Sequence, residues 1–185
     1  MSFKKKRAKD MMIRNELVPK PQIVAEVYCR RDHPWSRIGA EIVEIESDCF
    51  PDNERFSDDE LRDFFDDPNN VVVLLWDCRE VIGFSIARPV SKIWPKRAEE
   101  MDTYNITTTD IHTEYQGRGY VGLLMTMLET ELKAGGARYI ERNAKVGNGY
   151  AEAVAKYYAG RIVQSGEPRN TKYGELQFFR IALAV

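Results

Sequence analysis

The sequence predicts an α/β domain of about seven strands and four helices, and three observations predict it. Short apolar runs bounded by turn residues recur along the chain and read as strands. Between them lie segments whose apolar residues return every three or four positions, the pattern of amphipathic helices. A length of 185 residues suits one domain with a sizeable core. The reading divides the chain into a basic tail, 1–20, and a domain, 21–185.

In chain order, the tail carries Lys4, Lys5, Lys6, Arg7 and Lys9, and Pro19 and Pro21 close it. Residues 23–29 alternate, with Ile23, Ala25, Val27 and Cys29 on one side, so they form the first strand. Ser36 is the expected cap of a helix whose stripe is Ile38, Ile42, Ile45 and Cys49. Phe50-Pro51-Asp52-Asn53 ends it. Ser57 and Glu60 have capping-box spacing, and the short helix they open should bury Leu61, Phe64 and Phe65 before Pro68.

Residues 71–76 and 81–87 form a hairpin about a tight turn, with Gly83 marking a bulge or a close backbone approach. The connection 88–102 is unusually long, which suits either a functional loop or a plain insertion. A strand over 104–111 leads into glycines and a helix whose stripe is Val121, Leu124, Met125, Leu128 and Leu132, closed by Gly135-Gly136. Residues 138–142 form a strand, Asn148 caps a helix over 149–159, and Ile162-Val163 is extended. Residues 166–170 turn, and 176–184 close the chain as a strand.

Composition narrows the function classes. Net charge is −2, so nothing global points to nucleic acid or an anionic membrane. The basic tail reads as a solvated terminus, with a sequence-independent contact to nucleic acid or ribosome as its sharper alternative. No apolar run is long enough to span a bilayer, and no secretory signal is apparent. Cys29, Cys49 and Cys78 are odd in number and lack metal-ligand spacing, as expected of reduced thiols in a cytoplasm. No metal is expected.

The stretch richest in chemistry is Gln116-Gly117-Arg118-Gly119-Tyr120-Val121-Gly122. Its glycines let the backbone turn tightly and approach a ligand. The first N–H groups of the following helix have no partner inside it, and the helix dipole is positive there. Together these read as a phosphate cradle. Gly117, Gly119 and Gly122 also fit the dinucleotide pattern G-x-G-x-x-G, with Glu141 near the place of a ribose-binding acid. The context is wrong for that pattern, because polar Glu114-Tyr115-Gln116 stands where a buried strand should run into the first glycine.

The same residues resemble the GNAT superfamily of acyl-CoA-dependent N-acyltransferases, whose pyrophosphate loop reads Q/R-x-x-G-x-G/A. Gln116 and Gly119 match it; Val121 departs at the last position, with Gly122 just after. The resemblance extends from about Ile23 to the C-terminus through the order of elements. It implies the GNAT fold, a central mixed, mostly antiparallel sheet, with acetyl-CoA as cosubstrate. It also implies a cofactor set of Ile111, His112, Thr113, Gln116, Gly117, Arg118, Gly119, Tyr120, Val121, Gly122 and Asn148. Ile111 and Thr113 would meet the donor carbonyl through backbone.

Acyl transfer to an amine needs a neutral nucleophile, donors for the oxyanion and a proton for the leaving thiolate. The family often supplies that proton from a tyrosine on the helix after the next strand, where Tyr157 and Tyr158 compete. Counting back from Ile162 favours Tyr157, and helical spacing places Tyr158 in the core. Some relatives carry a glutamate base on the strand before the loop; that position here is Asn105, which accepts no proton. A water chain to Asp102, Asp110 or another carboxylate would have to serve. His112 reads as solvent-facing or donor-facing, and His33 as a surface residue.

Residues 41–67 hold twelve acids against Arg55 and Arg62. They read as a solvated face or as a field drawing in a cationic amine. The resulting expectation is a cytoplasmic N-acetyltransferase moving acetyl from acetyl-CoA to a primary amine, on a small molecule or a peptide, by direct attack. It would act as a monomer or homodimer, without nucleic acid or membrane. The alternatives are a non-catalytic acyl-CoA or nucleotide sensor and, more remotely, a NAD-binding enzyme.

Overall fold

The computed structural model describes residues 22–183. The basic tail 1–20 lies outside them, as does Ala184, the expected last residue of the final strand. The elements are β1 (Ile23–Val27), α1 (Trp35–Cys49), α2 (Asp58–Asp66), β2 (Val71–Asp77), β3 (Glu80–Pro89), α3 (Val90–Ile93) and β4 (Thr103–Ile111). They continue with α4 (Val121–Ala134), β5 (Tyr139–Lys145), α5 (Tyr150–Tyr157), β6 (Ile162–Ser165), β7 (Arg169–Thr171) and β8 (Gly174–Ala182). The strands lie in the order β1-β2-β3-β4-β5-β8-β6, with β7 paired to β8. All pairs are antiparallel except β4 with β5.

The helices cover both faces, as a sheet with two apolar sides requires. On one face Ile38, Ile42 and Ile45 of α1 and Leu61 and Phe65 of α2 pack against Leu74, Phe84 and Ile86. On the other, Leu124, Met125, Leu128 and Leu132 of α4 pack with Val154 and Tyr158 against Val73, Leu75 and Ile140. Burying those four α4 side chains contributes about 6–12 kcal/mol gross at about 1.5–3 kcal/mol each. That burial anchors a helix whose N-terminus the site uses.

Several expectations are corrected. Ser36 does not cap α1: Pro34 precedes the helix in extended conformation, lacks an N–H to satisfy, and the helix begins directly at Trp35. Ser57 and Glu60 do form the reciprocal capping box. Val121 is exposed, so it leaves the buried stripe; Glu129 takes a buried place on α4 and pairs with Arg161. Residues 166–170 include the start of β7, whose pairing with β8 makes an eighth strand. β1 stops at Val27, short of Cys29. Gly83 marks a close approach, since a Cβ there would lie 2.7 Å from the Asp110 carbonyl oxygen.

The long connection is ordered as α3 and a 3-10 turn, Pro95–Arg97. It brings Arg97 onto Glu141 of β5, which is 1% exposed. Arg180 of β8 reaches Glu100, Glu141 and the Thr103 hydroxyl. This clasp sits where β4 and β5 still pair, from Thr103↔Tyr139 to Asn105↔Glu141. Beyond Asn105 they pair no further, while β5 stays bonded to β8 as far as Lys145. In β4, Thr107 has no partner in β3: it is a bulge, a device that bends a strand near functional sites.

Candidate active site

The divergence of β4 and β5 opens a cavity of about 720 Å³. Alternation along β4 aims Thr108 and Asp110 at the α1 face, in register with Ile86 and Phe84, while Thr109 and Ile111 turn to the α4 face. Residues of both sets line the cavity, so it passes through the sheet.

At the α4 mouth lies the glycine loop. Gly117 and Gly119 have φ of 71° and 82°, the left-handed region that glycine enters without steric cost. Gly122 donates to the Gly119 carbonyl at 3.1 Å and Leu123 to that of Tyr120 at 3.0 Å. Among the described residues, the N–H groups of Gly117, Arg118, Gly119, Tyr120 and Val121 have no acceptor. Free N–H groups at a helix N-terminus, with open space before the glycines, constitute an anion cradle.

The other loop residues brace it. Gln116 Nε2 donates to the Ile111 carbonyl at 2.8 Å, which Cys49 Sγ also meets at 3.3 Å. Burial, with the charge of Asp110, pushes the Cys49 thiol up to about 12, so it stays protonated and offers no nucleophile. His112 Nε2 lies 3.0 Å from Asp48 Oδ2, and the Thr113 hydroxyl donates to the same oxygen at 3.3 Å. His112 Nδ1 accepts the Glu114 N–H, so the ring caps the turn rather than facing solvent alone. Arg118 donates to the Glu114 carbonyl at 2.8 Å and lies over the Tyr115 ring. Of the expected cofactor residues, then, Ile111, Gln116, Gly117, Gly119, Tyr120 and Val121 line the cavity.

Asn148 lines it too, although Gly149 takes the cap position of α5; the Asn148 side chain accepts the Tyr150 N–H at 3.1 Å. His33 is half-buried, paired with Glu26 at 2.7 Å and packed against Trp76, so it is no free surface residue. Glu141 is spent on Arg97 and cannot serve a ribose.

The two tyrosines of the expectation separate. Tyr158 is 1% exposed in the core, and burial with the nearby Glu129 charge raises its hydroxyl well above the usual phenol range. Tyr157 is 52% exposed and lines a side groove with Gly122, Met125 and Arg142.

Sequence reasoning missed Tyr150, Arg142 and Glu46 here, and named Asp110 only as one of several carboxylates that a water chain could reach. Tyr150 lines both cavity and groove, and its hydroxyl accepts a hydrogen bond from Arg142. Arg142 is 4% exposed, and among the described residues it enters no ion pair and its Nε has no partner. Glu46 and Asp110, each 1% exposed, stand side by side on the α1 side. A helical count could have placed Glu46 beside Ile42 and Ile45, but nothing local connects it to Asp110.

A sequence model of the Acetyltransferase (GNAT) family matches residues 39–159, which hold the cradle, both arms of the cavity and α5. The chain belongs to the GNAT acetyltransferase family. It is thus an acyl-CoA N-acetyltransferase, and acetyl-CoA is its acetyl donor. Among solved structures, the ribosomal-protein-S18-alanine N-acetyltransferase of Escherichia coli superposes with a TM-score of 0.63 at 15% identity, covering 89% of this chain and 96% of that one. The protein yncA of Salmonella typhimurium, solved with its cofactor acetyl-CoA, gives 0.67 at 14%, covering 89% and 95%. The aminoglycoside 6'-N-acetyltransferase of Enterococcus faecium gives 0.67 at 12%, covering 88% and 98%. No curated protein sequence matches significantly.

For this GNAT enzyme the cavity fits acetyl-CoA at the cradle, where free N–H groups suit a pyrophosphate. Among the described residues no cluster of metal-ligating side chains is present and no helix is long and apolar enough to cross a membrane.

Proposed function

We propose that the enzyme acetylates a primary amine that arrives as a cation, by direct attack on the thioester of acetyl-CoA. The observation that carries this reading is the cavity itself, with an anion cradle at one mouth and buried carboxylates at the other. The donor binds by pyrophosphate on the N–H groups of 117–121, with Asn148 and Ile111 along its path. The acceptor enters between the α1–α2 connection and the β7–β8 hairpin, past Phe56 and Tyr173, which line that end. A small amine and a peptide amine both fit this description. The thiol of Cys49 offers no acyl-enzyme step, which supports direct transfer. The three free thiols suit a cytoplasmic enzyme.

The leaving thiolate takes its proton from Tyr157, a role supported by its exposed side chain in the groove beside Gly122. A second reading assigns that role to Tyr150, favoured by its hydroxyl's contact with Arg142, a cation that would steady a phenolate. The direct test is mass-spectrometric screening of polyamines, aminoglycosides and lysine-rich or N-terminal peptides with acetyl-CoA. A transfer confined to cationic amines is the expected result. An enzyme that acetylates only alcohols, or none of the panel, would defeat the reading.

A further inference from the structure

Glu46, in the last turn of α1, and Asp110, near the end of β4, meet at the wall of the cavity. Glu46 Oε1 accepts the Phe56 N–H at 2.9 Å, and the Thr108 hydroxyl reaches both Asp110 oxygens at 2.8 and 2.7 Å. Glu46 Oε2 is buried and has no hydrogen-bond partner among the described residues, and the Asp110 carboxyl stands against the Glu46 side chain. Neither acid has an ion-pair partner there. Two carboxylates in contact and out of water cannot both stay ionised, so the pair holds one proton and one charge. A buried single charge with an unfilled acceptor, opening on a cavity, lacks a cationic donor from the cavity side.

The surroundings keep that role open. Arg55 and Glu60 act on Glu46 with opposite signs from the α1–α2 connection and α2. Cys49 stays a thiol, Tyr150 a phenol, and Lys145 is occupied by Glu54. Arg142, a buried cation whose Nε is also unpartnered, lines the same cavity from β5. Negative and positive groups thus face one space from its two sides.

We propose that the Glu46–Asp110 pair is the proton acceptor of the reaction, with Glu46 Oε2 taking a proton from the ammonium of the acceptor. This rests on the primary-amine reading above. The ammonium gives one proton to the singly charged pair, which becomes neutral. The freed nitrogen lone pair forms the C–N bond to the thioester carbon as the C–S bond breaks. The thiolate takes the hydroxyl proton of the α5 tyrosine, and the second proton shed by nitrogen restores that hydroxyl. The pair then releases its proton to water, so one amide, one thiol and one proton leave for each ammonium and thioester consumed. Burial raises both carboxyls, and the charge of Glu46 raises Asp110 further, so activity should climb with pH as the doubly protonated pair loses one proton.

The test compares n-butylamine, a cation at neutral pH, with 2,2,2-trifluoroethylamine, already neutral there. Glu46→Gln keeps an oxygen for the Phe56 N–H, and its melting temperature and acetyl-CoA affinity should match wild type. Its kcat/KM should fall by about 10²–10⁴ for butylamine and by less than about tenfold for trifluoroethylamine. Asp110→Leu takes away the shared proton that favours the Glu46 carboxylate, and its activity limb should move to higher pH. Equal losses with both amines in Glu46→Gln, or no loss with either, would overturn the proposal. A wild-type enzyme that binds acetyl-CoA but acetylates neither amine would defeat the primary-amine reading, and this inference with it.

Discussion

Arg97 holds the buried Glu141 carboxylate with both terminal nitrogens, Nη1 at 2.9 Å and Nη2 at 2.7 Å. Through this contact the 88–102 connection fastens the point from which β4 and β5 part. Bidentate guanidinium–carboxylate geometry is the strong form of an ion pair. Glu141→Gln removes the charge and leaves two arginines short of a buried partner. The expected loss is about 3–5 kcal/mol, a fall in melting temperature on the order of 10 °C by calorimetry. A variant as stable as wild type would make the clasp incidental.

The same clasp sets an acid limit. Arg97, with Arg180, holds the Glu100 carboxyl at about 2, against 4.5 for the free group. A folded value below the unfolded one means that this stabilisation is fully present above about pH 4.5 and lost as pH falls toward 2. Glu100→Gln should therefore flatten the stability–pH curve in that window and leave its neutral side parallel to wild type. Denaturant unfolding across the acid range reads it.

The cradle can be tested without harming the helix that builds it. Gly122 lies in the first turn of α4, has open space where a Cβ would go, and has no positive φ. In Gly122→Glu the acid favours the helix dipole, by about 0.3–1 kcal/mol, and repels a pyrophosphate. The variant should melt no lower than wild type and lose the upward shift that acetyl-CoA gives, about 2.7 kcal/mol at a hundredfold excess over Kd. A retained shift would place the pyrophosphate elsewhere.

For the leaving group, Tyr157→Phe should lower kcat by about 10²–10⁴ with the acetyl-CoA Kd unchanged, since a proton given in the transition state adds little to ground-state binding. Near-normal turnover in that variant, with the loss appearing in Tyr150→Phe, assigns the role to Tyr150.

Most of the acids in 41–67 are exposed, and those on α2 do not line the cavity. Their field acts over the screening length of about 8–10 Å. With a cationic acceptor, kcat/KM should fall as salt rises while kcat stays flat, and Asp58→Asn with Asp63→Asn should reproduce part of that fall at low salt. Salt-indifferent kcat/KM would reduce the acidic run to a solvated face.

What was legible in the sequence was whatever neighbours in the chain decide. The Ser57–Glu60 box, the glycine loop and the stripes of α1 and α4 depend on residues a few positions apart, and the structure keeps them. Val121 fell outside its stripe because burial at a helix end depends on what stands opposite, and here it is the cavity. Ser36 lost its cap role to Pro34, one local signal overriding another. Glu46 with Asp110, and Tyr150 with Arg142, were hidden for a different reason. Each pair is made by two elements that only the closed sheet brings together, and a lone acid or tyrosine carries no mark of its partner.

Past Asn105, β4 presents backbone N–H and C=O groups toward β5 that no ladder bond takes up. An uncovered strand edge ordinarily invites another sheet to add itself. Here the neighbouring strand has moved too far to bond yet still flanks the opening, fixed by its own ladder to β8. With β5 flanking it, that edge is not open to a foreign sheet as a bare edge is, and the gap suits a single extended chain. A slender molecule bearing amides, as the arm of coenzyme A does, can complete the interrupted sheet for as long as it is bound.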